Sequence, residues 1–470
     1  MKYGHKLRVK VDGYDDKGRG TCTIGIDGAG KQVVAGQGVS DTVLAMPFAC
    51  PGDEAEVTFL KREYGVKVCR LDTLLQSGPD RISAPCPHAG TCGGCLWQHI
   101  RYAAQLAEKE QGVESLFATF GLEDRVKPIV AAENELGYRN RMDFCVGWNG
   151  EIGLKEYGAW NRYVNIKECL LVKPGVGQIL QTVRDWMKEF DLQPWDAKFH
   201  TGDVRYVVVR DGQNTEQRMI TIVIHDTTRI GQEARSSLAD KLQTHCTSLL
   251  LGELTKDTDL SLAETLETLI GQTWFEEKIN DIVYRIHPNS FFQTNSAMAA
   301  KLQTTVLNAI SVLPGTRDVR RGTILDLYCG LGFFGIAAAR RFPDAHIYGY
   351  ELDEQAIILA SQNAKNNKVG DSCEFFSGKA EDLSWKDVPA DVVIIDPPRS
   401  GLHPKVITSL VGENVMRPRS IVYVSCNYHR FKDELPAFLK EYEVDFVQPL
   451  DLFPQTRHVE VVVSLKRKAA

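Results

Sequence analysis

Cys426 closes the run Ile421-Val422-Tyr423-Val424-Ser425-Cys426-Asn427, an apolar, strand-like segment that ends abruptly in a thiol. The turn Asp396-Pro397-Pro398-Arg399-Ser400-Gly401-Leu402 lies about thirty residues before it, and Arg457-His458-Val459-Glu460 about thirty after it. A ligand-binding acid, a nucleophile and a possible base therefore follow one another along the chain, an order that suits covalent catalysis on a weakly reactive ring.

Further upstream, Thr323 to Asp326 reads as a short buried strand. The tract Asp326-Leu327-Tyr328-Cys329-Gly330-Leu331-Gly332-Phe333-Phe334-Gly335 breaks it with glycines before an alanine-rich helical run. A nucleotide-sized ligand can rest on such a turn. A second strand, His346 to Tyr350, ends in Glu351, about twenty residues after the glycines, where a carboxylate can accept hydrogen bonds from ribose hydroxyls. Alone the glycine turn is a weak signal, because glycines also simply close strand-to-helix turns and the spacing suits a dinucleotide as well. Glu351 and the Asp396 turn, at the ends of successive strands, favour a ligand site, since ligands bind outside the carboxyl ends of such sheets. Asp326 at the head of the loop, with the later Asp-Pro-Pro turn, favours S-adenosylmethionine.

At these residues the chain resembles the S-adenosylmethionine-dependent RNA uracil-C5 methyltransferases, over nearly its whole length. Five motifs carry the likeness: Ser290-Phe291-Phe292-Gln293-Thr294-Asn295, the Asp326 to Gly332 loop, the Asp396 to Gly401 turn, Ser425-Cys426-Asn427, and Phe453-Pro454-Gln455-Thr456-Arg457-His458-Val459-Glu460. The resemblance implies that Gln293, Tyr328, Glu351 and Asp396 contact S-adenosylmethionine, that Cys426 is the nucleophile and that Glu460 removes the ring proton. The chain departs from the family at Tyr428, where proline usually follows the asparagine, which puts the local turn in question but not the thiol.

The chemistry accounts for these residue types. C5 of uracil is a poor carbon nucleophile, so a Cys426 thiolate adds to C6 and turns the ring into an enolate that can attack a sulfonium methyl in line. The C5 hydrogen must then leave before the thiolate is expelled, which calls for a carboxylate on that face of the ring, the part given to Glu460. A free cysteine has a pKa of about 8.5, so positive charge must lower it, and Arg399, His429 and Arg430 are the candidates. Taken singly, a cysteine at a strand end is more often a small buried hydrophobe, and a glutamate in a β-rich run a solvent-facing residue. The other motifs outweigh those readings.

Cys86, Cys92 and Cys95 lie in Pro85-Cys86-Pro87-His88-Ala89-Gly90-Thr91-Cys92-Gly93-Gly94-Cys95, where glycines let a loop wrap a compact metal centre. Three thiolates need a fourth ligand, and Lys167-Glu168-Cys169-Leu170 supplies Cys169. The resemblance likewise places a four-iron, four-sulfur cluster on these four positions, with tetrahedral zinc the rival, since spacing does not separate the two. The start Met1-Lys2-Tyr3-Gly4-His5 has no secretory apolar core, so disulfides are not expected and the chain is expected in the cytoplasm. Cys22, Cys50, Cys69, Cys145, Cys246, Cys329 and Cys373 have no ligand spacing and read as core thiols, Cys329 with a place along the cofactor loop.

A length of 470 residues implies about three domains. The longest apolar runs, such as Val459 to Leu465, are strand-sized and far short of a membrane span. The net charge of −6, from 55 basic and 61 acidic residues, makes any nucleic-acid surface a local patch.

Residues 1–75 alternate in short strands, such as Lys6 to Val11 and Glu54 to Leu60, and read as a small OB-like barrel similar to the TRAM domain. Lys61, Arg62, Tyr64, Lys67 and Arg70 offer RNA a basic, aromatic patch. Residues 76–285 hold the cysteine loop, a helix over Trp97 to Phe120, and an α+β segment whose hairpin turns at Asn149-Gly150, with Tyr138, Arg139, Asn140 and Arg141 as a second RNA surface. Residues 286–470 alternate strands near Ile324, Ile347, Phe375, Val393, Val422 and Phe446 with helices. This is a doubly wound, Rossmann-like α/β methyltransferase sheet that Val459 to Leu465 would close.

The expected product is 5-methyluridine in structured RNA. Cluster-bearing members of the family resemble the enzymes of large-subunit (23S) ribosomal RNA more than bacterial transfer-RNA enzymes, although archaeal transfer-RNA members also carry the cysteines. The alternatives are a transfer-RNA enzyme, an RNA cytosine-C5 methyltransferase, whose Pro-Cys or Thr-Cys motif is absent around Cys426, and a noncatalytic ribosome-assembly factor, against which Cys426 and Glu460 argue.

Overall fold

The structure, a computed structural model, describes residues 2–26, 32–33, 40–196, 198–311, 322–412 and 417–469. It divides into two units, one of residues 1–108, 154–164 and 453–457, the other of residues 109–153, 165–452 and 458–470.

In the first unit six strands lie side by side in the order Lys6–Lys10, Glu54–Glu63, Val66–Gln76, Ser40–Met46, Gly20–Ile26, Gly13–Tyr14, with Gln32–Val33 paired to Gly20–Ile26. They curl into a half-barrel. Period-two alternation sends Leu7 and Val9 inward to meet Leu44, Met46, Val57, Phe59 and Cys69. The same parity removes Lys67 from the expected basic patch: it shares a face with buried Cys69, so its ammonium turns in and donates to Thr42 Oγ1 at 3.2 Å. Lys61 and Arg62 stay exposed, and Tyr64, at the tip of the turn with φ of 46°, is 95% exposed. The helix expected from Trp97 to Phe120 is shorter, Tyr102–Ala118; Trp97 and Ile100 instead pack with Cys50 in a loop.

The second unit contains two sheets that bear on the site. In the central one, Arg141–Val146, Val204–Asp211, Arg218–Ile224, Ser248–Glu253 and Thr265–Ile270 are successive neighbours, and the expected Asn149-Gly150 turn is present with Gly150 at φ of 81°. The Tyr138–Arg141 surface is not where the sequence suggested. Tyr138 and Asn140 are each 5% exposed, and Arg141 is held by Asp143 at 2.8 Å. Asn140 instead ties the Ser290–Asn295 tract in place: its backbone N–H donates to Thr294 O at 2.8 Å, and its side-chain amide to Gln293 O at 2.8 Å and Ser296 Oγ at 2.9 Å. Buried polar groups need such partners, which is why an Asn in this position faces protein rather than RNA.

The C-terminal sheet runs Cys373–Ser377, His346–Glu351, Thr323–Leu327, Val392–Ile395, Ser420–Ser425, Glu460–Arg467, Tyr442–Leu450. The first five strands are parallel, alternating in sequence with helices such as Phe333–Arg341, Glu354–Asn366 and Pro404–Val411, as a doubly wound sheet requires. The last strand does not close the edge. It inserts antiparallel between Ser420–Ser425 and Tyr442–Leu450, because Val461, Val462, Val463 and Leu465 are fully buried and such a strand needs cover on both faces and partners on both edges. Helix Tyr428–Phe438 packs Phe431, Leu435 and Phe438 into the core with Tyr423, Val461 and Val463.

Candidate active site

Strand ends of the C-terminal sheet gather the chemistry along one edge. The register pairs Leu327 with both Tyr350 and Ile395, and Ile395 with Tyr423, so Tyr328, Glu351, Asp396 and Cys426 follow their strands out on the same side. Glu460 joins them from the inserted strand. Ser425 pairs with Val461, so Cys426 and Glu460 each lie one residue beyond that pair, where Glu460 reaches Cys426 electrostatically.

The glycine loop turns by left-handed residues: Tyr328 at φ of 63°, Gly330 at 52° and Gly332 at 77°. Gly332 also has no room for a side chain, since a Cβ there would stand 2.9 Å from Ile336 Cδ1 and 3.0 Å from Phe375 Cζ. A left-handed tyrosine costs about 1–3 kcal/mol, strain that collects at ligand-binding turns. Asp326 lies beneath the loop, where its Oδ2 accepts the Gly335 N–H at 2.8 Å. Burial pushes its carboxyl up to about 8, and Asp396 and Glu351 add to the shift, so Asp326 is a brace rather than an exposed acid. Glu351 closes the loop over its own strand end, accepting from Gly330 N at 3.2 Å, Leu352 N at 2.7 Å and Asp353 N at 3.1 Å. Gln293 is brought to the same neighbourhood by Phe292, whose ring meets Phe333 edge-on at 5.6 Å at the start of the loop helix.

Cys426 is half-buried and its thiol is pushed up to about 11, first by burial, then by Glu460 and Asp396, with Arg399 opposing them. Arg399 is thus the cation among the three candidates that lowers the thiol. Arg430 is spent on Ser400 O at 2.9 Å and Asp433 at 3.3 Å, and the His429 ring lies 4.2 Å from that of Tyr428. Glu460, 3% exposed, is raised well above the ordinary carboxylate range by burial and by Asp396, again opposed by Arg399. Asp396 is raised to about 7 by burial and by Glu351. A thiol and several carboxylates crowded into one low-dielectric edge favour a cationic ligand there, so the donor set fits the sulfonium of S-adenosylmethionine.

Tyr428, the residue that departs from the resemblance, begins helix Tyr428–Phe438 directly after Cys426-Asn427. Its hydroxyl explains a glycine in the middle of helix Tyr102–Ala118: a Cβ on Gly112 would stand 2.9 Å from Tyr428 Oη. Glu434 was not found from sequence. It is 3% exposed, and its oxygens accept from Leu402 N at 2.8 Å and Tyr423 Oη at 2.7 Å, under the Asp396 turn. The available signal was the spacing Asn427, Arg430, Glu434, one polar stripe on an amphipathic helix.

The cysteine loop lies in the first unit and is half-buried. Cys92 N donates to His88 O at 2.9 Å, Gly93 N to Lys155 O at 3.0 Å, and Gly94 N to Cys92 Sγ at 3.4 Å. Burial raises the Cys92 thiol and the Cys86 thiol adds to it, while the Gly94 N–H opposes. Cys169 belongs to the second unit. Four thiols suit iron–sulfur or zinc by donor chemistry. Among the described residues no group of three His, Cys, Asp or Glu side chains is placed to hold a metal ion. Among the described residues no helix is long and apolar enough to cross a membrane.

A doubly wound sheet with a glycine turn after its first strand, and carboxylates and a thiol gathered at its strand ends, has the architecture of a methyltransferase. Residues 101–468 match the family described as tRNA (Uracil-5-)-methyltransferase. Relatives similar to this chain include a tRNA (uracil(54)-C(5))-methyltransferase of Pyrococcus horikoshii, 35% identical over 92% of this chain and 97% of that protein. A 23S rRNA (uracil(747)-C(5))-methyltransferase of the same organism is 33% identical over the same shares. The crystal structure of Pyrococcus abyssi tRNA (uracil-54, C5)-methyltransferase in complex with S-adenosyl-L-homocysteine superposes with a TM-score of 0.74 at 30% identity, over 98% of this chain and 100% of that one. The chain belongs to the RNA uracil-C5 methyltransferase family and is an S-adenosylmethionine-dependent enzyme of that kind.

Proposed function

We propose that this chain makes 5-methyluridine in structured RNA through a covalent adduct on Cys426. Cys426, having lost its thiol proton, bonds as the thiolate to C6 of the uracil, and the displaced C5–C6 electron pair is carried as an enolate over C5 and O4. S-adenosylmethionine, when bound, would supply the methyl group that C5 takes up and leave as S-adenosylhomocysteine. Glu460 then removes the C5 proton, the electron pair re-forms the C5–C6 double bond, and the Cys426 sulfur leaves. Gln293, Tyr328, Glu351 and Asp396 are the proposed contacts to the methyl donor, with Glu351 on the ribose and Asp396 near the reacting edge. The observation that carries this reading is the Ser425–Val461 pair, which leaves Cys426 and Glu460 one residue beyond it on either strand, with Asp396 and Arg399 within electrostatic reach of both.

For the RNA, relatives named for transfer RNA and for 23S ribosomal RNA match at 35% and 33% identity, so the target is proposed from the cysteines rather than from identity. Cys86, Cys92, Cys95 and Cys169 are proposed to take a four-iron, four-sulfur cluster, and on that basis ribosomal RNA is the first arm of the test and transfer RNA the second. Mapping of 5-methyluridine in both RNAs from a strain lacking the gene, with methyl transfer to the undermodified RNA by purified protein, decides. Loss from neither RNA, with no transfer in vitro, would reject the reading.

A further inference from the structure

The helix that follows Cys426 holds the Asp396 turn along one polar stripe. Asn427, Arg430 and Glu434 are three and four residues apart, so they share a face. Asn427 Nδ2 donates to Arg399 O at 3.2 Å, Arg430 Nε to Ser400 O at 2.9 Å, and Glu434 Oε1 accepts the Leu402 N–H at 2.8 Å. Turn residues 399, 400 and 402 are thereby tied to one rigid element. Glu434 Oε2 also accepts from Tyr423 Oη at 2.7 Å, and Tyr423, 1% exposed, sits three residues before the thiol on the same strand. Between these contacts the backbone rests against the carboxylate: Gly401 has φ of 79°, and a Cβ on it would stand 2.1 Å from Glu434 Oε1.

We propose that Glu434 is a positioning residue, a buried bridge between the Cys426 strand and the Asp396–Leu402 turn that sets where Asp396 and Arg399 stand relative to the thiol. This rests on Cys426 being the nucleophile. Glu434 touches neither substrate nor cofactor in this role. A carboxylate suits the place because one N–H donor and one O–H donor reach its two oxygens from the two elements being joined. Arg430 Nε, 3.7 Å from Oε1, supplies partial charge compensation. Gln keeps an acceptor for the Leu402 N–H, and its amide can donate to Tyr423 Oη, whose hydroxyl accepts as readily as it donates.

The test uses the full-length protein and RNA carrying 5-fluorouridine, with the rate of covalent adduct formation measured at saturating RNA and S-adenosylmethionine. Glu434→Ala is expected to slow adduct formation about tenfold to a hundredfold, the range for misplacement of a catalytic group, with RNA affinity within about twofold of wild type. Glu434→Gln is expected to stay within about threefold, a rescue that mere loss of stability would not show. Should Glu434→Ala fail to fold, Gly401→Ala takes its place, since it pushes the turn off an intact Glu434, and Tyr423→Phe removes the other arm alone. Wild-type adduct rates in folded Glu434→Ala or Gly401→Ala protein would overturn the inference. Absence of any adduct with wild-type protein would instead sink the nucleophile assignment.

Discussion

Cys426 and Glu460 each lie one residue beyond the Ser425–Val461 pair that joins two antiparallel strands, close enough that Glu460 raises the Cys426 thiol. Only an inserted last strand produces that pairing. It puts the proposed nucleophile and the proposed proton acceptor on one edge, as the proposed attack at C6 and deprotonation at the neighbouring C5 require.

The adduct chemistry is tested by 5-fluorouridine RNA, in which Glu460 has no proton to take. Wild-type protein should give a denaturation-stable complex. Cys426→Ala should give neither complex nor turnover, and full methylation by that variant would remove the nucleophile. Glu460→Gln should form the adduct with ordinary uridine but release it at least about a hundredfold more slowly, as expected for loss of a positioned base.

Arg399 is the cation that opposes burial and two acids at the thiol. Its loss should raise the Cys426 pKa further, so Arg399→Ala should lower turnover about tenfold at neutral pH and shift the rising limb of the rate profile to higher pH. Arg399→Lys retains the charge and should shift the limb less. A profile unmoved in Arg399→Ala would show that the guanidinium does not tune the thiol.

Binding of the methyl donor should depend on pH through Asp396, whose carboxyl burial and Glu351 raise to about 7. Below that value it is protonated and loses its attraction for a sulfonium, so S-adenosylmethionine affinity should fall as pH drops from about 8 to about 6, by up to tenfold per unit. S-adenosylhomocysteine, without the positive charge, should change less, and Asp396→Asn should flatten the difference. Calorimetry with equal pH dependence for the two ligands would contradict this.

The four-cysteine proposal predicts brown protein after anaerobic purification, with broad visible absorption and iron and sulfide bound. Cys92→Ser should lose the colour and lower solubility or RNA affinity before it alters the methyl-transfer step. Colourless protein with stoichiometric zinc would select the rival site.

RNA grip by the half-barrel is expected from Tyr64, 95% exposed, with the Lys17 ammonium 5.3 Å from its ring, and from exposed Lys61 and Arg62. A uracil stacked in a duplex cannot reach the thiol, so extruding it costs a few kcal/mol that contacts elsewhere must supply. Tyr64→Ala with Arg62→Ala should weaken RNA binding about tenfold, with a shallower salt dependence, and leave S-adenosylmethionine affinity unchanged. Unchanged RNA affinity would place the grip elsewhere. Lys67, buried against Thr42, should matter little to RNA.

The elements of the chemistry were legible in the chain because each is local: glycines that turn after a strand, an acid at a strand end, a thiol closing an apolar run. Alternation of strands and helices from Thr323 onward likewise announced a parallel doubly wound sheet. What the linear order could not contain was which faces and edges meet. Val459 to Leu465 reads the same as a closing edge strand or an inserted one, and only packing on both sides of Glu460–Arg467 brought Glu460 within reach of Cys426. Asn140 and Lys67 read as surface residues until strand parity and buried partners turned them inward. Whether the thiol is activated or suppressed is also a sum over distant parts of the chain. Burial, Glu460 and Asp396 outweigh Arg399 at Cys426, and those groups become neighbours only when the sheet assembles. Local sequence sets backbone propensity and chemical type, whereas register, burial and electrostatic environment arise from contacts far apart along the chain.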